Sequence, residues 1–117
     1  MRCVLFALVA AGCSAPATLP ELASAETRAD RGDTEGALVA YRDAQVRCKS
    51  LKPARRATQA CSDALLGEAQ VLEEAGRTDE AITTYLAIPP RVPDDPMTAS
   101  TATYRAGQLL LDKKRDV

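Results

Sequence analysis

The clearest apolar pattern in the chain covers residues 65–88. In its first half, apolar residues recur every three or four positions, which places them on one face of a helix. These residues are Leu65, Leu66, Ala69, Leu72 and Ala75. Gly76 follows them, and a glycine at that place ends a helix because it adopts the left-handed conformation without a Cβ clash. The pattern therefore predicts a helix that ends at Gly76.

A second and shorter helix is predicted directly after this turn. Thr78 can cap it, and Asp79 and Glu80 lie in its first turn, where the positive end of the helix dipole favours acidic side chains. Pro89 and Pro90 end it, because proline cannot continue a helix. The face that turns back toward the first helix carries Ala81, Tyr85 and Ile88. Together the two segments predict a helical hairpin.

The same spacing occurs 44 residues earlier in the chain, which makes the hairpin a repeat. The later copy has Ala69, Gly76, Ala81, Tyr85 and Ile88, and the earlier copy has Ala25, Gly32, Ala37, Tyr41 and Ala44. In each copy a small residue lets two helices approach, the glycine makes the turn, the alanine is the contact after it, and the tyrosine fills the space beyond. Repeats of this length bury their apolar faces by stacking on one another.

These residues resemble the tetratricopeptide repeat (TPR), a 34-residue helix–turn–helix unit. The resemblance covers residues 20–93 and implies an all-α fold of antiparallel helix–turn–helix repeats. We expect a TPR-like α-solenoid with two repeats plus a C-terminal capping or partial-repeat helix. Glu21 and Leu65 depart from the family pattern, in which a large aromatic residue is usual, and Lys49 replaces a terminal proline. The copies are also about ten residues too far apart. The alternative is a generic alanine-rich helical bundle.

A last helix is predicted over residues 97–114, after a proline-rich segment at 89–96. Four of its residues resemble the first helix of a third repeat: Tyr104, Gly107, Leu110 and Leu111. The helix is therefore either a cap on the second repeat or the start of a third repeat in a longer protein. The Asp94-Asp95 pair before it suggests cation binding or, more commonly, turn chemistry.

The first residues of the chain predict a targeting signal. Met1-Arg2 supplies a positive start, and the apolar run at 3–11 is far shorter than the about 20 residues of a membrane-spanning helix. The next residues, Ala10-Ala11-Gly12-Cys13, resemble a bacterial lipobox, with Ala10 where leucine is commoner. The resemblance implies cleavage before Cys13 and a diacylglycerol on its sulfur. It also implies a fatty acyl group, such as palmitate, on the amine of Cys13. An ordinary signal peptide that is cut after Ala15 or Ala17 is the alternative.

These signals divide the chain into a lipoprotein signal peptide at 1–12, a lipid-anchored tether at 13–20 and a TPR-like helical domain at 21–117. Lipid on Cys13 would hold the protein at the cell envelope, because two or three acyl chains anchor far better than one. By the same resemblance, Ser14 in place of an aspartate favours the outer membrane. We therefore expect the domain at the periplasmic face of that membrane.

Export leaves Cys48 and Cys61 as the thiols of the mature chain, because Cys3 leaves with the signal and Cys13 carries lipid. An oxidising compartment favours a disulfide between them. Such a bridge closes a loop of about 14 residues and contributes about 3 kcal/mol in the chain-entropy account. The alternative is a pair of small buried thiols.

The position of the bridge constrains where the helices end. Antiparallel helices bring together residues that are equidistant from their turn, so the bridge centres the turn at residues 54–55 and lets Thr58 cap the next helix. A helix that starts directly after Pro53 would offset the two sulfurs by about 7 Å. We expect that offset to be too large for a disulfide without adjustment.

Composition argues against several classes of function. The 15 Lys and Arg residues against 16 Asp and Glu residues give a net charge of −1, so the basic surface of a nucleic-acid binder is not expected. The chain has no histidine, no phosphate-binding glycine loop, no nucleophile elbow and no zinc signature. Adjacent helical residues such as Glu73 and Glu74 point in different directions and make a poor catalytic pair. We expect no enzyme activity, catalytic residue, cofactor, metal or small-molecule substrate.

The resemblance instead implies a docking surface. The first helices of successive repeats would line one face, against which a partner protein or peptide segment lies. That face would carry Leu22, Glu26 and Ala29, then Leu66, Gln70 and Glu73, then Tyr104, Gln108 and Leu111. It is mildly acidic with apolar spots, so we expect a basic or amphipathic segment. The predicted function is an exported, lipid-anchored interaction scaffold. The alternatives are a structural accessory subunit of an envelope machine and the N-terminal fragment of a longer TPR protein.

Overall fold

The computed structural model describes residues 19–115, and all regular structure in that range is helical. The α-helices are α1 (Pro20–Asp30), α2 (Thr34–Arg47), α3 (Ala54–Glu74), α4 (Thr78–Leu86) and α5 (Pro96–Arg115). Short 3₁₀ turns cover Cys48–Ser50 and Pro89–Arg91. The prediction of an all-α fold is confirmed for these residues. The predicted signal peptide, the lipidated Cys13 and residues 14–18 of the tether lie outside the described residues.

Both copies of the repeated pattern fold as helical hairpins, α1–α2 and α3–α4. Gly32 has φ +80° and Gly76 has φ +77°, so each turn uses the left-handed conformation that favours glycine. At each turn a backbone N–H reaches back to the end of the preceding helix: Gly76 N donates to the Glu73 carbonyl over 3.0 Å, and Arg77 N to the Leu72 carbonyl over 2.9 Å. The predicted glycine turns are confirmed.

Small residues set the separation of the helices. Ala25 and Ala37 in the first hairpin, and Ala69 and Ala81 in the second, are completely buried. Each helix packs against the next along the chain, α1 also reaches α3, and α3 reaches α5. Larger side chains fill the space between the alanines and are fully buried as well: Leu38, Leu72, Tyr85 and Ile88. The thin core of alanine and leucine is therefore continuous from α1 to α5.

The start of α4 differs from the prediction. Arg77 occupies the N-cap position, Thr78 is already the first helical residue, and no side chain caps this helix. The prediction of Thr78 as the cap is wrong, because a residue with helical backbone angles cannot fold its hydroxyl over the following N–H groups. Asp79 and Glu80 do lie in the first turn. The helix ends at Leu86, before the two prolines.

The two cysteines lie at disulfide distance, with the sulfurs 1.97 Å apart and the Cα atoms 5.2 Å apart. Helix α3 nevertheless begins directly after Pro53, so the predicted cap at Thr58 and the predicted offset of the sulfurs are both wrong. The reason is that α2 ends at Arg47 and Cys48 lies in a 3₁₀ turn. Counting along two straight helices does not apply to a residue that has already left its helix.

Candidate docking groove

A groove runs between α1 and α3, with Tyr41 of α2 beneath it. Its first part has a volume of about 360 Å³ and is lined by Leu22, Ala23, Glu26, Tyr41, Asp63, Leu66 and Gln70. Its second part, of about 340 Å³, shares three of these residues and adds Ala29, Asp30, Gly67, Val71 and Glu74. The two parts together form one cleft along the first helices of the two hairpins. We call this cleft the α1–α3 groove.

The groove brings together the predicted partner-binding residues of the first two repeats. Leu22, Glu26, Leu66 and Gln70 line its first part, and Ala29 lines its second. Leu22 and Leu66 provide apolar surface on opposite walls, and Glu26 and Gln70 provide polar surface. Such a combination suits a segment with both an apolar and a charged side chain.

The other predicted residues lie elsewhere. Glu73 accepts hydrogen bonds inside the protein and does not line the α1–α3 groove. On α5, Gln108 Nε2 donates to the Tyr104 hydroxyl over 2.9 Å, and Leu111 is exposed. Neither Tyr104 nor Gln108 lines the groove. The structure therefore separates the residues of the third predicted group from those of the first two.

Tyr41 is the residue around which the groove is built. Its side chain is only 7% exposed, yet its hydroxyl forms no hydrogen bond with any residue in the range 19–115. Burial, followed by the negative charges of Glu26, Asp30, Glu74 and Asp63, raises its pKa. The ring is thus a buried aromatic surface with an unpartnered polar end among four carboxylates.

Gly67 allows Tyr41 to lie so close to α3. A Cβ at this position would stand 2.2 Å from the Tyr41 Cε1 atom, a distance at which one of the two must move. The sequence analysis missed Gly67. Its signal was a glycine inside a strongly helical pattern, which indicates close packing when it does not mark a helix end.

The charge of the groove is negative throughout. Its lining contains Glu26, Asp30, Asp63 and Glu74, and the described residues that line it include no lysine or arginine. Burial and then the charge of Asp95 raise the pKa of Asp63, although a hydrogen bond from Gln59 partly offsets this. The ionised Asp63 is therefore incompletely compensated within the chain. A cation placed in the groove would compensate it.

Glu73 belongs to a separate and internally satisfied cluster. The fully buried Tyr85 donates to Glu73 Oε1 over 2.9 Å, and Arg105 of α5 donates to Glu73 Oε2. Burial and the hydrogen bond to Glu73 raise the pKa of Tyr85 to about 12. This cluster joins α3, α4 and α5, and its groups are already paired.

Asp95 joins α5 to α3. Its Oδ1 accepts from Thr98 N over 3.1 Å, and its Oδ2 accepts from the Thr98 hydroxyl over 2.7 Å and from the buried Ser62 hydroxyl over 2.6 Å. These bonds lower the pKa of Asp95. Asp95 thus acts as a helix cap, which is the turn chemistry that the sequence favoured for the Asp94-Asp95 pair.

Comparisons with protein-family models, curated proteins and solved structures return no match to this chain. Between Leu19 and Arg115, no group of three or more metal-ligating side chains comes together. No helix in the same range is long and apolar enough to cross a membrane.

Proposed function

We propose that this protein is a TPR-like docking scaffold of the bacterial cell envelope, held there by lipid on Cys13. Two hairpins with glycine turns and buried contact alanines, packed one after another, support the assignment to a short α-solenoid. In that arrangement α1 and α3 are the first helices of two successive repeats. The α1–α3 groove lies on the face that such repeats present to a partner.

The observation that carries the proposal is the charge and shape of the groove. It offers carboxylates that lack a basic partner in its lining, and a buried tyrosine whose hydroxyl is free to bond a ligand. We infer that it binds a partner segment through a lysine or arginine. The aliphatic part of that side chain would pack between Leu22 and Leu66, and its cationic end would reach Glu26 and Asp63.

The test measures the affinity of the full chain for short peptides that contain arginine, and for the same peptides with citrulline, an uncharged analogue of arginine. We expect binding that weakens as salt rises, because the interaction is ionic. Glu26→Gln and Asp63→Asn should each weaken binding of the arginine peptide by about tenfold, the effect of losing roughly 1.4 kcal/mol. Asp43→Asn, on the exposed side of α2, is the matched control. Equal affinity for the arginine and citrulline peptides would contradict the proposal.

The proposed lipid anchor has a separate test. The apolar run that ends in Ala10-Ala11-Gly12-Cys13 supports it. Cys13→Ser should move the protein from the membrane fraction to the soluble fraction or leave it unprocessed. The intact mass of the mature protein measures the same point directly, and an unmodified Cys13 there would overturn the anchor without affecting the groove.

A structural accessory subunit is the second candidate, and exposed apolar side chains favour it. Large apolar residues reach solvent on α2, α4 and α5: Val39, Val46, Leu86, Met97, Leu110 and Leu111. A subunit of an envelope machine would bury such residues against its neighbours. A partner that binds through these helices, and whose binding is unaffected by Glu26→Gln, would identify this second role.

A further inference from the structure

We propose that the end of the molecule at which the chain enters α1 is a basic surface that lies against anionic phospholipid headgroups. The inference rests on the proposed lipid anchor at Cys13, because that anchor places this end near a membrane. It adds a second contact with the same membrane, made by the folded domain itself. The α1–α3 groove takes no part in it.

Several segments of the chain meet at this end. Helix α1 begins here at Pro20, and α2 runs antiparallel to it, so the last residues of α2 return to the start of α1. An ion pair of 2.8 Å between Arg47 and Glu21 joins the two. The 3₁₀ turn after α4 also reaches this end, because Arg91 and Lys49 together line two cavities of about 160 and 300 Å³.

The connection between α2 and α3 carries a concentration of positive charge. Between Asp43 and Asp63 the chain has no acidic residue and five basic ones: Arg47, Lys49, Lys52, Arg55 and Arg56. The last four are exposed and make no ion pair with a residue in the range 19–115. We call these five residues, together with Arg91, the basic end.

The acidic side chains nearby leave most of this charge uncompensated. Glu21 is already paired with the last residue of α2, and Asp95 accepts hydrogen bonds from residues of α3 and α5. Asp94 is exposed and lines the larger cavity beside Lys49 and Arg91, where one carboxylate stands against two cations. Unlike the α1–α3 groove, which has carboxylates and no cation in its described lining, this end presents mainly cations.

The short stretch of chain before α1 keeps the basic end near the anchor. Six residues separate Cys13 from Pro20, and even fully extended they span only about 25 Å. Lipid on Cys13 would therefore hold the start of α1 within that distance of the bilayer. Anionic phospholipids attract basic residues within about 10 Å of the surface, a range that the tether allows the basic end to enter. An acyl anchor and a basic patch then act together.

The opposite end of the molecule provides an internal comparison. Lys113, near the end of α5, pairs there with Asp79 in the first turn of α4. The four lysines of the chain are divided equally between the two ends, with Lys49 and Lys52 at the basic end and Lys113 and Lys114 at the other. A membrane that binds the basic end should therefore cover one pair of lysines and leave the other pair in solvent.

Vesicle binding of the full chain tests the basic end without the anchor. The Cys13→Ser protein is mixed with vesicles of phosphatidylcholine alone and with vesicles that also contain the anionic phosphatidylglycerol. We expect stronger binding to the anionic vesicles, and weaker binding to them as salt rises. Combining Lys49→Gln, Arg55→Gln and Arg56→Gln should weaken that binding by about a hundredfold, at about fivefold for each basic residue.

The matched control combines Arg31→Gln, Lys114→Gln and Arg115→Gln, three exposed basic residues at the opposite end. It changes the net charge equally but should alter binding by less than about twofold, because charges farther from the surface than the Debye length are screened. Equal losses in the two triple variants would overturn the proposal. So would equal binding of the Cys13→Ser protein to both kinds of vesicle, since the apolar run at 3–11 would bind both alike.

Acetylation of lysines in the lipid-anchored parent tests the orientation. On anionic vesicles an amine-reactive reagent should label Lys49 and Lys52 several-fold more slowly than in detergent, and Lys113 and Lys114 at an unchanged rate, as measured by mass spectrometry. Equal protection of all four lysines would overturn the proposal, and protection by polyglutamate but not by vesicles would identify an acidic protein partner instead. An unmodified Cys13 would overturn the anchor alone, because the vesicle comparison uses Cys13→Ser.

Discussion

The two hairpins share a turn and a packing pattern but treat their equivalent tyrosines differently. Tyr41 and Tyr85 stand 44 residues apart, and both are buried. Tyr85 donates to Glu73, which Arg105 also contacts. In the first hairpin Ala29 stands where the second has Glu73, so Tyr41 has no such acceptor. The tyrosine hydroxyl at this position is therefore hydrogen-bonded in the second hairpin and has no partner among the described residues in the first.

The helix that packs on each hairpin sets the charge around its tyrosine. Next to Tyr85, α5 supplies Arg105, and the acid and base neutralise each other. Next to Tyr41, α3 supplies two acidic residues to the groove lining, Asp63 and Glu74. One repeat position thus yields an internal structural cluster in the second hairpin and an acidic groove in the first.

The residue that follows the turn glycine also differs between the two hairpins. Asp33 follows the first glycine and caps α2, with its Oδ1 accepting from Gly36 N over 3.0 Å. The equivalent residue in the second hairpin is Arg77, which leaves α4 without a side-chain cap. Arg77 instead pairs with Glu80 over 2.7 Å and with Glu35 of the first hairpin over 2.5 Å. It therefore connects the two hairpins through Glu35 and also pairs within the first turn of α4 through Glu80.

The largest expected effect comes from the disulfide, which fixes the end of the first hairpin to the second. Replacing both Cys48 and Cys61 by serine should lower the free energy of unfolding by about 3 kcal/mol, because the unfolded chain loses a loop constraint. Thermal unfolding under non-reducing conditions measures the change. The parent protein in reductant is the control and should match the variant; a variant as stable as the oxidised parent would show that the link contributes nothing.

The contact between the hairpins at Gly67 should give the next largest effect. Gly67→Ala places a methyl group against the Tyr41 ring, and overpacking of this kind costs about 1–3 kcal/mol. Gly107→Ala is the matched variant: it lies within a helix too, but its Cβ would enter open space, so it should stabilise α5 by up to about 1 kcal/mol. Urea unfolding compares the two. Changes of the same sign would mean that Tyr41 does not pack against α3 as described.

Removing the hydroxyl of each tyrosine in turn should affect stability differently, because Tyr85 is hydrogen-bonded and Tyr41 has no partner in the described chain. Tyr85→Phe deletes a hydrogen bond to a carboxylate and should cost about 1.5–2 kcal/mol. Tyr41→Phe deletes a hydroxyl that has no partner in the described chain and should change stability by less than about 0.5 kcal/mol. It should nevertheless weaken binding of the arginine peptide. Equal losses of stability in the two variants would remove the distinction between the hairpins.

Sequence reasoning identified what depends on local backbone chemistry and small residues. The glycine turns at Gly32 and Gly76 and the buried alanines follow from conformational preference and spacing, and the structure has them. Of the groove lining, the sequence indicated Leu22, Glu26, Ala29, Leu66 and Gln70, but not the acidic Asp30, Asp63 and Glu74. What the pattern did not reveal depends on contacts between distant segments, such as the contact of Gly67 with Tyr41 and the pairing of Arg105 with Glu73.

Local chemistry also misled the sequence analysis where tertiary structure overrides it. Threonine is a preferred residue type at a helix N-cap, but in α4 the N-cap position is occupied by Arg77 and not by Thr78. The start of α3 was placed too late because α2 was assumed to continue through Cys48. Both errors misplace a helix end by a few residues: α4 starts one residue earlier than predicted, and α2 ends before Cys48 rather than continuing through it.

The smallest expected effect is a difference between Asp95 and the nearby Asp63 in how their contributions to stability change with pH. The hydrogen bonds from Ser62 and Thr98 lower the pKa of Asp95, so the fold stabilises its ionised form. That stabilisation is present above the ordinary aspartate pKa of about 3.9 and is lost as the pH falls through the lower pKa of the folded state. Burial raises the pKa of Asp63, so its charge costs stability at neutral pH, and this cost disappears as the pH falls.

Asp95→Asn should therefore cost about 1 kcal/mol at pH 7, because the amide nitrogen cannot accept one of the hydrogen bonds that reach the carboxylate. The loss should shrink as the pH falls toward about 3, where the parent protein loses the same contribution. Asp63→Asn should act in the opposite direction and leave stability at pH 7 unchanged or slightly higher. Urea unfolding of both variants and the parent at neutral and acidic pH measures the effect. If the two variants destabilise the protein equally at pH 7, the fold does not distinguish the carboxylate that holds α5 to α3 from the one that faces the groove, and the groove then lacks the uncompensated charge with which it would bind a cation.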